Sequence, residues 1–238
     1  MADETILAFG AHPDDIELGC GGTLIKLAQA GHKIVVVDLT RGELSTRGTV
    51  EIRAREAAKA ADLIGAAARE NLELPDGDVR STPEAKQRVA KAVRRARPGL
   101  VLLPYTEDRH PDHAHAGRLA YEGTFLAGLP RYETGQPAFR PRRLVTYMCW
   151  EPFAPSFVVD VSAQFERKMA AIRAYESQFS AADPAYPPTR LTSPGALQLI
   201  ESRMATLGAQ IGVRYGEGFL LRGVLAAGSP LELDIHSF

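Results

Sequence analysis

Thr5-Ile6-Leu7-Ala8-Phe9-Gly10 runs straight into Ala11-His12-Pro13-Asp14-Asp15, and the reading of this stretch decides the fold. The apolar run reads as a strand buried inside a sheet. The pentapeptide then delivers one imidazole and two carboxylates to the strand's carboxyl end. Gly19-Cys20-Gly21-Gly22 follows as a glycine turn, and residues 21–31 read as a helix with Gly31 as its stop. A second apolar run, residues 99–104, leads in the same way into Glu107-Asp108-Arg109-His110-Pro111-Asp112-His113.

Working outward, residues 33–39 carry Ile34-Val35-Val36-Val37 and suit a strand covered on both faces. Val50–Ile64, Pro83–Ala96 and residues 113–126 read as helices, the first with Thr49 as N-cap and Gly65 as stop. Residues 71–74 read as a short strand. This alternation predicts an α/β protein: a Rossmann-like sandwich with a mostly parallel sheet flanked by helices. The expected strand order is 3-2-1-4, so strands one and four are neighbours. The topology therefore puts a metal site at the carboxyl ends of strands one and four.

Beyond Gly128 the chain reads as a Pro- and Gly-rich connection, strands at 143–150 and 157–161, and a helix at 163–179. A loop at 181–194, a helix at 196–212 and a last strand at 219–226 complete it. No repeat or linker divides residues 1–238, which are expected to form one domain. Lys+Arg number 28 and Asp+Glu 29, a net charge of −1 that gives no electrostatic case for nucleic acid or an anionic membrane. The two cysteines are too few for a disulfide framework and fit a reducing compartment. No stretch approaches the roughly 20 apolar residues of a membrane span, and the expectation is a cytoplasmic protein.

His12, Asp15 and His113 supply a His₂Asp set with room for water, the pattern of catalytic zinc. Iron, cobalt or manganese also suit such donors. Asp14 is left free to act as general base. His110 is expected to stabilise an oxyanion or to protonate a leaving amine, with Asp112 holding its tautomer. Cys20 beside the site reads either as a ligand or as a small buried filler.

These residues carry a resemblance to the PIG-L/LmbE family of zinc-dependent deacetylases. It extends to Asp38-Leu39-Thr40-Arg41-Gly42-Glu43, Thr46-Arg47-Gly48-Thr49, Leu74-Pro75-Asp76-Gly77, Tyr175-Glu176-Ser177-Gln178-Phe179 and Gly216-Glu217-Gly218-Phe219, in which the chain resembles the bacillithiol-pathway branch. The resemblance implies deacetylation of N-acetylglucosaminyl-malate, with zinc on His12, Asp15 and His113, Asp14 as base and His110 on the oxyanion. It also implies sugar contacts at Arg53 and Asp76 and an assembly of identical subunits. The mycothiol branch has a Tyr-containing loop where this chain has Glu107-Asp108-Arg109, which argues against that branch. A malate aglycone needs cations, and Arg53, Arg109 and Arg47 are the candidates, with Ser45 on a loop able to close over the sugar. Rival readings are a deacetylase of N-acetylglucosamine or chitobiose, a metal- or nucleotide-binding module, and a structural subunit.

Overall fold

The computed structural model describes residues 3–232; both ends of the expected 1–238 domain fall outside them. The strands are β1 (Thr5–Gly10), β2 (Lys33–Thr40), β3 (Ala68–Leu74), β4 (Leu100–Pro104), β5 (Arg143–Tyr147), β6 (Phe157–Asp160) and β7 (Gly216–Leu221). They form one sheet in the order β3-β2-β1-β4-β5-β7-β6. β3, β2, β1, β4 and β5 run parallel, and β7 is antiparallel to both β5 and β6. The expected order and the mostly parallel α/β sandwich are therefore present, with β1 between β2 and β4.

Helices α1 (Asp15–Gln29), α2 (Val50–Ile64), α3 (Pro83–Ala96), α4 (Pro111–Ala127), α5 (Phe165–Arg173), α6 (Glu176–Phe179) and α7 (Pro194–Ala209) cover the sheet. Strand alternation sorts the core into two layers. Leu7, Phe9, Val35 and Val37 pack with Val89 and Val93 of α3 and Leu119 of α4. Ile6, Ala8, Ile34 and Val36 pack on the other face with Ile16, Leu24 and Ile25 of α1. No described helix is long and apolar enough to cross a membrane.

Several expectations shift: β3 begins at Ala68 rather than at residue 71, and β5 ends at Tyr147 rather than at residue 150. α1 begins at Asp15, not at residue 21, and crosses a kink at Cys20 (φ −138°, ψ 16°). In an unbroken helix the Gly22 N–H would bond the Leu18 carbonyl. Here the Gly22 and Thr23 N–H groups donate to the Glu217 carboxylate at 2.8 and 2.7 Å. The freed Leu18 carbonyl accepts from Lys168 Nζ at 2.9 Å, and Lys168 also bonds Glu217 at 2.6 Å. The glycines serve close approach: a Cβ on Gly19 would lie 2.2 Å from the Tyr147 ring, and one on Gly22 would lie 2.9 Å from Glu217. Cys20 is buried core.

The single helix expected over 163–179 breaks after Arg173, because Tyr175 turns inward and its hydroxyl bonds Glu17 at 3.1 Å. The last strand begins at Gly216, where its pairing with β6 starts, and stops at Leu221, the last residue paired with β5.

Candidate active site

β1 and β4 end side by side, and each end becomes a loop that opens a helix. After β1, His12-Pro13-Asp14 lead into α1, with the His12 N–H donating to Asp15 Oδ2 at 2.8 Å. After β4, the loop ends on His110, the N-cap of α4; Pro111 takes the first helical position, where its missing N–H costs nothing. The three imidazoles converge. His12 and His113 centroids are 5.3 Å apart, and His110 stacks on His113 at 4.7 Å.

Asp15 joins the two loops. Its Oδ2 is 3.4 Å from His12 Nδ1 and its Oδ1 is 3.1 Å from His113 Nε2. Both histidines rest their outer nitrogens on other carboxylates. His12 Nε2 meets Asp76 Oδ1 at 2.9 Å and Asp112 Oδ2 at 3.4 Å; His113 Nδ1 meets Asp108 Oδ1 at 3.1 Å. Outer carboxylates of this kind fix the tautomer of a ligating imidazole. The inner donor separations lie near the roughly 3.3 Å edge of a tetrahedron with metal–ligand bonds of about 2.0–2.1 Å. Sets of His12 with His110 and His113, Asp15 with His113 and Cys149, and His12 with Asp76 and Asp112 each bring donor atoms within 4.8 Å. The donor chemistry fits a divalent cation.

The charge balance points the same way. Burial by itself would lower the pKa of His12, yet Asp112, Asp15 and Asp76 raise it well above the usual imidazole range. Burial likewise opposes charge on His113, and Asp15 outweighs it and raises the pKa strongly. Burial would raise Asp15, but His113 and His12 hold it well below the usual carboxylate range. Asp112 falls to about 2, with burial overcome by His12 and by the N–H groups of Val79 and Gly77. The carboxylates thus demand positive charge, which protons or a cation can supply.

Asp14 is set apart. Burial lifts its carboxyl to about 7, partly offset by the Arg53 guanidinium. Arg53 Nη2 lies 3.4 Å from Asp14 Oδ2 and donates to the Pro13 carbonyl, while its Nη1 bonds Ser45 Oγ at 3.0 Å. Its Nε has no partner among the described residues. His110 accepts the Asp112 N–H on Nδ1 at 3.2 Å, and burial with the neighbouring His113 and His12 lowers its pKa. A neutral His110 therefore carries its proton on Nε2.

A cleft of about 300 Å³ opens over this cluster. His12, Asp14, Asp15, Ser45, Arg53, Asp76, Arg109, His110 and His113, all singled out from the sequence, line it. Two expectations are corrected. The Asp112 carboxylate holds the Gly77 and Val79 N–H groups and faces His12; only its backbone reaches His110. Arg47 points away from the cleft and is enclosed by main-chain carbonyls, because five acceptors there satisfy all its donors.

Sequence reasoning missed Asp108 and Trp150. Asp108 accepts from the His110, Trp150 and Glu151 N–H groups, at 3.0, 2.9 and 3.2 Å, besides meeting His113. In sequence it reads as an ion-pair partner for adjacent Arg109. Arg109 instead lies over the Trp150 ring, 4.7 Å from its centroid, at the cleft mouth.

Residues 7–123 match the PIG-L family, described as GlcNAc-PI de-N-acetylase. A diacetylchitobiose deacetylase of Thermococcus kodakarensis is 32% identical over 73% of this chain and 70% of its own length. A probable N-acetyl-α-D-glucosaminyl L-malate deacetylase 2 of Bacillus anthracis is 27% identical over 74% of this chain and 81% of its own. The crystal structure of the conserved protein TT1542 from Thermus thermophilus superposes with a TM-score of 0.86 at 39% identity, covering 94% of this chain and 98% of the other. The T. kodakarensis relative, 32% identical over more than two thirds of both chains, and the family match across the strand ends that hold the histidines and aspartates described above show that the chain belongs to the PIG-L family of de-N-acetylases.

Proposed function

We propose that the protein hydrolyses the N-acetyl group of a glucosamine-type sugar, giving the free amine and acetate. One observation carries this reading. A spare buried carboxylate, Asp14, meets no histidine among the described residues and lies beside a donor set spanned by Asp15. A storage or scaffolding site has no use for such a group; hydrolysis needs it as a base. His12, Asp15 and His113 would hold the cation, with zinc the metal that suits them best. Bound there, a divalent cation polarises the acetyl carbonyl and acidifies water.

The chain's own groups do the rest. Asp14 takes the proton of the attacking water, held in place by Arg53. His110 Nε2–H donates to the oxygen that gains charge as the carbon becomes tetrahedral. The proton held by Asp14 then passes to the amide nitrogen, the C–N bond breaks, and acetate is left. Arg53 and Asp76, which line the cleft, bind the sugar hydroxyls.

The substrate we favour is N-acetylglucosaminyl-malate, supported by the B. anthracis relative and by Arg109 at the mouth, a guanidinium with no carboxylate partner among the described residues. With Arg47 withdrawn and Arg53 assigned to the sugar, Arg109 is the candidate cation that remains for the aglycone. A diacetylchitobiose substrate is the second reading, favoured by the T. kodakarensis relative and by Trp150, a flat face of the kind sugars stack on. Acetate release from the malate conjugate, N-acetylglucosamine and diacetylchitobiose decides between them. Arg109→Ala is expected to slow the malate conjugate selectively; an equal loss on all three removes the malate reading. Asp14→Asn should keep its metal and lose turnover, and full turnover would refute the base. His110→Ala should slow turnover at unchanged metal content, whereas loss of metal would make His110 a ligand.

A further inference from the structure

Arg47 is 2% exposed and meets no carboxylate among the described residues. A guanidinium has five N–H donors. All five are used, each on a main-chain carbonyl of a single segment. Nε bonds Ser177 at 3.0 Å; Nη1 bonds Tyr186 and Pro187, both at 2.8 Å; Nη2 bonds Ser180 at 3.0 Å and Asp183 at 3.1 Å. The tie is reciprocal, since Gln178 Nε2 donates to the Arg47 carbonyl at 2.8 Å. Beside it Gly48 (φ +77°) passes so close to Ser177 that a Cβ would fall 2.9 Å from the serine side chain.

The two segments joined in this way both contribute to the cleft: Ser45 and Thr46, just before Arg47, line it from one, and Gln178, with Leu191 a little further on, from the other. Residues 180–193 contain no helix or strand, and the side-chain bonds at Ala182 and Ala185 are local. A segment without its own ladder must borrow order from elsewhere, and Arg47 is where it does so.

We propose that Arg47 is a specificity-determining positioning residue, which locks the 177–187 segment to the 45–48 loop and so fixes the width of the cleft at the aglycone end. Its effect on substrates rests on the deacetylase reading; the lock itself does not. Lysine, with three donors and no planar fork, cannot reproduce five bonds to carbonyls fanned around one guanidinium.

Arg47→Met and Arg47→Lys are compared with the wild type in acetate release from the malate conjugate and diacetylchitobiose, and in amide hydrogen exchange. The expected result is KM raised about ten- to a hundredfold, the scale of a lost positioning contact, with kcat within about twofold, unchanged metal content, and faster exchange in both segments together. A folded variant with unchanged KM overturns the specificity role. Should Arg47→Met fail to fold, Arg47→Lys and the wild-type exchange pattern decide. Protection of residues 178–188 equal to that of 44–48 supports the lock, and free exchange of 178–188 beside a protected 44–48 overturns it. A wild-type protein that releases no acetate defeats the deacetylase reading, and the exchange pattern still judges the lock.

Discussion

Asp14 has φ 128° and ψ −24°, a backbone setting that side-chain-bearing residues adopt at a cost of about 1–3 kcal/mol. The surrounding bonds over-determine it. Its own carbonyl accepts from Leu18, and Arg53 grips both the Pro13 carbonyl and the Asp14 carboxylate. The rotation turns the Asp14 carboxylate to Arg53 while Asp15 faces the imidazoles. The proposed base works when deprotonated, so turnover is expected to rise with pH. Its carboxyl stands at about 7 without a cation, and a neighbouring cation favours the charged form. The acid limb of kcat/KM in the metal-loaded enzyme is therefore expected to fall below about 7. Asp14→Asn should cost about 10²–10⁴ in turnover, the usual worth of a positioned base, and abolish that limb; a pH–rate profile of both proteins checks it. Asp108 makes a second prediction. It supports His113 from behind, so Asp108→Ala should weaken metal binding about 10–100-fold, measured by competition with a chelator. The histidines and aspartates of the site were legible because they fall in two His-Pro-Asp clusters, one directly after β1 and one closing the loop after β4. Asp108 was not, because adjacent Arg109 masks it in the sequence and two of its four partners, the Trp150 and Glu151 N–H groups, reach it only through the fold.

At the scale of elements, α1 is two helical pieces joined at Cys20, and the second piece begins on a carboxylate supplied by β7. Glu217 and Lys168 are both buried and bonded to each other, so removing either leaves the other charge uncompensated. Glu217→Ala is expected to cost about 3–5 kcal/mol, and to lower Tm on the order of 10 °C for a chain of this size. Glu217→Ala with Lys168→Met should recover part of that loss; thermal melts of the three proteins test it. From sequence, Gly19-Cys20-Gly21-Gly22 read as a turn. Glycines inside a helix are disfavoured by backbone entropy, and nothing local reveals that Tyr147 and Glu217 must approach the backbone there. The break at Tyr175 has the same origin: its hydroxyl partner, Glu17, lies 158 residues away in sequence.

Across the whole molecule, the parallel half of the sheet was the most legible part. Continuous apolar runs and Gly or Pro punctuation mark β1, β2 and β4, and right-handed crossovers then leave one order for the strands. The antiparallel strands were less legible, since short half-buried runs such as Phe157–Asp160 take their bounds from partners. The sheet order makes the site a junction between two loops, which a cation would hold together. Metal loading should therefore raise Tm by mass action, and a chelator should reverse the rise. The raised pKa values of His12 and His113 add that loading near neutral pH releases protons, which calorimetry in buffers of different ionisation enthalpy can count.

The carboxylate that starts the second piece of α1 is drawn from a strand made almost two hundred residues later. During synthesis on the ribosome, the glycine-rich stretch behind the His12–Asp15 loop must wait for β7 to emerge before its N–H groups find their acceptor. A nascent or truncated chain ending at residue 210 should hold the first four strands yet leave residues 19–23 open to protease. Full-length protein should resist cleavage there.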